Sequence, residues 1–401
     1  MATNEWPLKR LKDITSKIGS GATPRGGKNA YLSEGISLIR SLNVYDFKFE
    51  EDDLAFISDE QAAELSNVIV QKGDILLNIT GASVARCCLT DPKYLPARVN
   101  QHVAIVRVRP DVADARFVLY CINSLHFKSR LLALAHGGAT REALTKTTIE
   151  DFEVLQPPLP VQQRIASILS AYDELIENSQ RRIKILEAMA RALYREWFVH
   201  FRFPGHENHP RVASLLGEIP QGWEVKTVKE ILSRRSAGSV YREADVNPEG
   251  DVPVIDQSTS ELLGFHDNAP DHMASSALPM AIFGDHTCKM QLLIEPFSVG
   301  PNVVPFVASH EMPTSYVFYA ANSLVHTQEY KRHWIPLTVK EVVVADREAA
   351  QRFASLIQPM LVTQETHRKA IRNLRRTRDL LLPRLLSGQI EVEALPEGIA
   401  A

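Results

Sequence analysis

Side chains of the types that can hydrogen-bond to nucleic acid gather beside glycines and at the ends of apolar runs. The first stretch is Ser20-Gly21-Ala22-Thr23-Pro24-Arg25-Gly26-Gly27-Lys28. Its glycines let backbone approach phosphate closely, and Ser20, Thr23, Arg25 and Lys28 supply hydroxyls and positive charge. Arg40 and Asn43 follow an apolar run ending at Ile39; Arg98, Asn100 and Gln101 lead into another beginning at Val103; Thr140 and Arg141 follow Gly137-Gly138. Further along, the candidates are Arg234, Arg235, Ser236, Tyr241, Gln257, Ser258, Thr259, His286 and Lys289. These residue types read base edges and phosphates from groove-facing loops. The competing reading of each is a surface turn or a capped strand start.

Other chemistry is poorly represented. No G-x-x-x-x-G-K-[ST] loop or G-x-G-x-x-G run is present, so no nucleotide or dinucleotide cradle is signalled. Pro157-Pro158 follows Gln156 and precedes Leu159, which is not the Asn-Pro-Pro-aromatic pattern of adenine methyltransferases. The histidines His266, His272, His286 and His310 lack ligand spacing, and the four cysteines form no C-x-x-C pair. We therefore expect no catalytic residue and no metal in this chain.

The elements that must position the candidate loops come from an internal repeat. Trp6-Pro7-Leu8-Lys9-Arg10-Leu11-Lys12-Asp13-Ile14 returns as Trp223-Glu224-Val225-Lys226-Thr227-Val228-Lys229-Glu230-Ile231. Phe117 to Leu125 returns as Tyr316 to Leu324, and Ile165-Ala166-Ser167-Ile168-Leu169 as Phe353-Ala354-Ser355-Leu356-Ile357. Three matches in one order, at offsets shrinking from 217 through 199 to 188 residues, mean two copies of one module. In each copy, β-rich runs lie between turn signals: 73–81 and 102–110 in the first, 279–284 and 302–307 in the second. Segments 117–125 and 316–324 read as short helices.

A long helix closes each copy. Positions 165, 169, 172, 176, 179, 183, 186, 190, 193 and 197 form a sustained heptad seam, Ile to Trp. Shifted by 188, the seam is Phe353, Ile357, Met360, Gln364, His367, Ile371, Leu374, Arg378, Leu381 and Leu385, apolar at seven of ten places. The simplest arrangement pairs the two helices; the alternative packs each flat on its own domain. Pro160 suits the first turn of the first helix, and Pro204-Gly205 closes that segment. Pro359 predicts a break or kink in the second helix, and Pro383 and Gly388 its end. Trp197, Phe198, Phe201 and Phe203 exceed what a two-helix seam needs, which marks them as partner-binding candidates.

These helix ends carry a resemblance. Gln156-Pro157-Pro158-Leu159-Pro160-Val161-Gln162-Gln163-Arg164-Ile165-Ala166-Ser167-Ile168-Leu169 resembles the "PPLPxQxxIAxIL" opening of the central helix in specificity subunits of type I restriction-modification systems. The stretch from Ala192 to Gly205 resembles its end, the stretch from Leu374 to Gly388 the C-terminal conserved region, and Ser20-Gly21-Ala22-Thr23-Pro24 the "SGxTP" of target recognition domains. The second copy departs from this with Ala237-Gly238-Ser239, so its contact loop cannot be carried over.

The resemblance implies an α+β chain with two mixed α/β target recognition domains. Two long helices, paired as an antiparallel coiled coil, separate them in a pseudo-twofold repeat. The expected divisions are 1–158 (first recognition domain), 159–203 (central helix), 204–345 (second recognition domain), 346–388 (C-terminal helix) and 389–401 (tail). Such a subunit is not an enzyme by itself. It reads a bipartite, asymmetric sequence in double-stranded DNA and docks two methyltransferase subunits, with two restriction subunits where these exist. No cofactor is expected here: S-adenosylmethionine belongs to the methyltransferase, ATP and magnesium to the restriction subunit.

Composition fits a soluble cytoplasmic protein without a membrane partner. Of 401 residues, 45% are hydrophobic and 23% charged, and no apolar run approaches membrane-spanning length. The start of the chain lacks the apolar run of a secretory signal. Residues 206–345 carry 10 basic and 17 acidic side chains, net −7, against zero for residues 1–155. The few cations of the second module must therefore offset repulsion from phosphate. The Arg-rich run from Arg368 to Arg378 reads either as a contact surface or as a solvated helix face. The alternative function is a pseudo-symmetric coiled-coil scaffold that binds proteins only.

Overall fold

The computed structural model describes residues 6–137, 142–258, 262–327, 331–390 and 392. Residues 1–177 with 371–401 form one compact unit, and residues 178–370 a second. The helices are thus not a separate layer, because each contributes one half to each unit. Thr140, Arg141 and Thr259 lie outside the described residues.

In the first unit, strands β1 (Thr15–Ser20), β2 (Ile36–Ile39), β3 (Ala55–Ile57), β4 (Ile69–Val70), β5 (Ile75–Asn78), β6 (Cys87–Leu89), β7 (Ala97–Val99) and β8 (Val103–Val108) form two four-stranded sheets. Their orders are β1-β8-β5-β6 and β3-β2-β7-β4, with β2 and β7 parallel. Strand side chains alternate between faces. Leu76, Cys88, Val103 and Ile105 meet Leu38, Ile39, Ala97 and Val99 of the other sheet. Their neighbours Ile75, Leu77, Cys87, Ala104 and Val106 share a core with helix α1 (Ala115–Asn123) and the start of helix α2 (Leu159–Tyr194).

The second unit repeats this order. Strands β9 (Leu232–Arg234), β10 (Val252–Ile255), β11 (Leu262–His266), β12 (Met280–Gly284), β13 (Met290–Leu293), β14 (Ser298–Val299) and β15 (Val303–Ala308) make sheets β9-β15-β12-β13 and β11-β10-β14. Strands β10 and β14 are again parallel. Ala281, Phe283, Val304 and Phe306 pack toward helix α3 (Thr314–Ala321), while Ile282, Leu293 and Val303 pack toward Ile255 and Val299. The short strands and helices expected near residues 75, 105, 119, 282, 305 and 318 are all present.

Helix α4 (Arg347–Leu386) closes the second copy. In the first unit Ile165, Leu169, Leu382 and Leu385 share one core, and Asp173 pairs with Arg378. In the second, Glu187 pairs with Arg368 and Tyr194 meets Phe353 at 5.8 Å between ring centroids. Numbers rise along one helix as they fall along the other, so the pairing is antiparallel in both units. Every seam position is buried or half-buried.

Three expectations about helix ends need correction. Pro359 does not break α4, which is helical through it. It sits on the exposed side of the helix, where water can take the freed carbonyl, and buried Phe353, Ile357 and Leu361 anchor the turns around it. Pro383 does not end the helix either. Leu385 and Leu386 are buried beyond it, and Gly388, at φ +69°, supplies the left-handed stop. Helix α2 gives way to a wider π turn at Arg195–Val199 before Gly205.

Local caps fix where the helices start. Asp346 accepts from Ala349 N at 2.8 Å and from the Trp223 indole at 3.0 Å, tying α4 to the repeated tryptophan. In the first copy Pro158 stands in that place, and Trp6 Nε1 is buried without a partner. There Gln162 makes the tie: its Oε1 accepts from Asp114 N and its Nε2 donates to Pro157 O.

The first sheet also contains an ion pair whose carboxylate is buried and whose guanidinium is half-buried. Asp74 accepts from Arg107 Nε at 2.7 Å and from its terminal nitrogen at 2.8 Å, and also from Gln71 N. Asp74→Ala removes all three charge-assisted bonds, but water can reach the Arg107 charge left behind, so the substitution should cost about 1–3 kcal/mol. Urea unfolding, with hydrogen exchange localising the loss to the first unit, checks this.

Candidate nucleic-acid interface

The repeated topology brings four strand ends of each unit together. In the first unit, antiparallel pairing sets Ser20 opposite Ala104 and Asn78 opposite Val103, so the ends of β1 and β5 lie where β8 begins. Asn100 N donates to Ile39 O at 3.0 Å, and Ile79 N to His102 O at 3.0 Å, adding the ends of β2 and β7. The second unit repeats both bonds, as Gly300 N to Ile255 O at 2.9 Å and Asp285 N to Asn302 O at 2.8 Å.

Gly21 makes the first approach possible. Its N donates to Asn100 O, and a Cβ on it would lie 1.7 Å from the Val99 carbonyl oxygen. Ser20 before it and Thr23 and Arg25 beyond it are exposed, and the Arg25 side chain, 3.4 Å from Glu64, keeps 89% of its surface in solvent. Lys28 stands on the short 3-10 helix Gly27–Ala30.

Four polar candidates of the first unit prove to be committed to the protein itself. Asn43 is fully buried: its amide donates to Glu50 O and Asp52 O and accepts from Arg40 N. Arg40 donates to Asp53 O and lies over the Tyr31 ring. Arg98 donates to Ala62 O and Ala97 O. Buried Asn100 accepts from His102 N. Gln101 is the exposed member of that run, and it meets His102, which in turn meets Thr80. Thr80 was not among the candidates. It follows a strand end, Asn78-Ile79, and that position is the signal that could have identified it.

In the second unit the structure assembles Gln257, Ser258, His286 and Lys289. Gln257 Oε1 accepts from His286 N at 3.1 Å, and Lys289 Nζ donates to Ser258 O. Thr287, not singled out from sequence, donates to Gln257 O at 2.8 Å. Gly284 permits the fold of this loop, since a Cβ there would meet Thr287 Oγ1 at 2.5 Å. Asp285 is spent internally on His333 N and Trp334 N. Arg234, Arg235 and Ser236 are exposed at the end of β9, Arg234 over the Trp334 ring. Tyr241 N donates to Val299 O at 3.1 Å, at the end of β14, but its side chain turns away from this group. Its ring stacks on His266 at 4.1 Å, and His266 pairs with Val252 at the opposite end of β10.

The four aromatic partner candidates are core residues. Trp197, Phe198 and Phe203 are buried and Phe201 half-buried. Phe198 packs on Tyr316, Phe353 and Trp223, and Phe201 and Phe203 pack on Trp223. Their excess over the seam is used inside the second unit. Most of the Arg-rich run is paired there or in the first unit: Arg368 with Glu187, Lys369 with Glu295, Arg378 with Asp173.

Among the described residues, no three His, Cys, Asp or Glu side chains come together to hold a metal ion. Burial pushes the Cys87 thiol up to about 12 and Cys88 and Cys121 upward as well, leaving them protonated. No described helix is long and apolar enough to cross a membrane.

The apposition of Gly21 and Asn100 can be tested directly. Gly21→Ala should separate the two segments and speed amide exchange at Gly21 and Val103 at least tenfold, with the second unit unchanged. Hydrogen exchange read by mass spectrometry gives the answer.

Known proteins resemble this chain in sequence and in fold. Residues 3–188 match the family described as the type I restriction modification DNA specificity domain. Over 420 residues the chain is 25% identical to the MjaIX type I restriction enzyme specificity subunit of Methanocaldococcus jannaschii, covering 98% of this chain and 95% of that one. The HindI specificity subunit of Haemophilus influenzae is 23% identical over 200 residues, 49% of this chain and 42% of its own. In fold, the chain resembles the S subunit of a type I restriction-modification system from M. genitalium, with a TM-score of 0.55 at 15% identity over 96% of each chain.

Proposed function

We propose that the chain is a specificity subunit of a type I restriction-modification system, a DNA-recognition rather than catalytic component, and that each module reads one half of a bipartite DNA site. The observation that carries this is the repeated convergence of four strand ends, carrying different side chains in the two copies. One framework with two sets of loop residues suits a site whose halves differ. Arg25, Gln101 and Thr80 face the first half-site; Arg234, Arg235, Gln257, Ser258, His286 and Lys289 face the second.

In this reading two methyltransferase subunits dock on the chain and bring S-adenosylmethionine. A restriction subunit, where one is present, brings ATP and magnesium. The complex works in the cytoplasm, where its DNA is. The test is to co-express the chain with a type I methyltransferase subunit from the same genome and map methylated bases across that genome. Methylation at one split, asymmetric sequence is the expected result. A complex that forms but leaves DNA unmethylated and unbound would favour a protein-only scaffold.

The helices set the distance between half-sites in this proposal. Inserting seven residues in both, between Ile176 and Ile183 and between Gln364 and Ile371, preserves the heptad seam. Each helix lengthens by about 10.5 Å, close to 3 base pairs at about 3.4 Å each. The duplex then presents the second half-site rotated by about a third of a turn, so affinity should fall. Sites still methylated should keep both half-sites with a spacer about 3 base pairs longer. An unchanged spacer in the methylome would refute the helices as the ruler.

A further inference from the structure

We propose that Gln101 is a base-reading residue of the first module, held by His102 and Thr80 so that its amide faces an adenine in the major groove. This rests on the DNA-reading role proposed above. Gln101 occupies the three-residue link between β7 and β8, exposed at the convergent strand ends. Its Nε2 lies 3.0 Å from His102 Nε2, and His102 Nδ1 lies 2.6 Å from Thr80 Oγ1.

The donor and acceptor roles follow in sequence. An amide nitrogen only donates, so His102 Nε2 accepts. Nδ1 then carries the ring proton and donates it to Thr80. The backbone fixes the ring in turn: His102 N donates to Asn100 Oδ1, and His102 O accepts from Ile79 N. Asn100 is itself buried, so this chain of contacts starts in the core.

One amide hydrogen of Gln101 is used inside the protein. One N–H and one carbonyl oxygen remain for a ligand. That pair complements adenine, whose N7 accepts and whose N6 donates in the major groove. Holding the amide in advance reduces the rotamer entropy lost on binding. The other amides at these strand ends, Asn43, Asn78 and Asn100, are buried and bonded to backbone. In the second module the corresponding link is Gly300-Pro301-Asn302, with proline in place of the glutamine. This contact therefore belongs to the first half-site alone.

The experiment uses the full chain with its methyltransferase and a panel of duplexes carrying every base at each position of the methylated site. Wild type should prefer A·T at one position of the first half-site. Gln101→Ala should lower that preference about 10- to 100-fold, leaving the second half-site and the salt dependence unchanged. Gln101→Glu, which only accepts, should move the preference toward cytosine. His102→Phe keeps a ring but loses both nitrogens. It should relax the same position by a smaller factor and leave affinity for random DNA unchanged, an effect that a merely structural ring would not produce.

Three results would overturn the assignment: full discrimination retained by Gln101→Ala, a uniform loss at every position, or a wild-type preference for guanine there. The last would mean that the amide faces the other way. Absence of any sequence preference in the wild-type complex would instead defeat the DNA-reading role itself.

Discussion

Each module is governed by one four-stranded sheet that is apolar on both faces. In the first, Ile75 and Leu77 point one way and Leu76 the other, and all three are buried. In the second, Ala281 and Phe283 oppose Ile282 in the same manner. Such a sheet must be covered twice. A second sheet covers one face, and a short helix with half of each long helix completes the other. With both faces covered, the strand ends are the places where side chains can vary without disturbing packing. Both groups of convergent loops lie there, and this is why a functional reading of the chain begins at those ends.

The long helices repeat in seam but not in charge. In the first unit Arg378 lies between Asp173, Asp379 and the Phe47 ring, 4.3 Å from its centroid. Tyr120 donates to the same Asp173, and burial holds its hydroxyl protonated for that purpose. Shifted by the repeat, Arg378 corresponds to Ala190 and Asp173 to Leu361, both buried in the second unit. There the seam instead carries Gln364, 3% exposed with an unpartnered Nε2, and Glu187–Arg368 stands beside it. Pairing either helix with its own copy would leave Asp173 or Arg378 facing an apolar side chain. Buried charges tolerate that poorly, so the two helices are specified for each other rather than for themselves.

Much of this fold is legible in the sequence because it rests on period and order. Alternation around Ile75 and Ile105, the heptads from Ile165 and Phe353, and the shrinking offsets of the repeat all correspond to structure. What was illegible depends on partners distant in the chain. Asn43, Arg98 and Asn100 look like groove-facing donors until the carbonyls they satisfy are seen. Trp197 and Phe198 look superfluous to a two-helix seam until Tyr316 and Phe353 are placed against them. Pro359 carries a local cost near 3 kcal/mol, which flanking buried residues outweigh. Sequence shows what a side chain can offer; tertiary structure decides whether it has already been used.

The two loop groups also show how one framework carries two sets of side chains. Backbone bonds at the strand ends are the same: Asn100 to Ile39 and Gly300 to Ile255, Ile79 to His102 and Asp285 to Asn302. The side chains they carry are not. In the first module a histidine is flanked by threonine and glutamine. In the second, a glutamine oxygen receives a histidine backbone N–H, and a lysine is held beside it. The second module also carries a net charge of −7 over residues 206–345. It satisfies Asp285 internally, with two backbone N–H groups, and places Arg234 and Arg235 at the exposed end of β9. The charge presented at these strand ends is therefore set by which side chains the loops spend inward, and net composition is a poor guide to it.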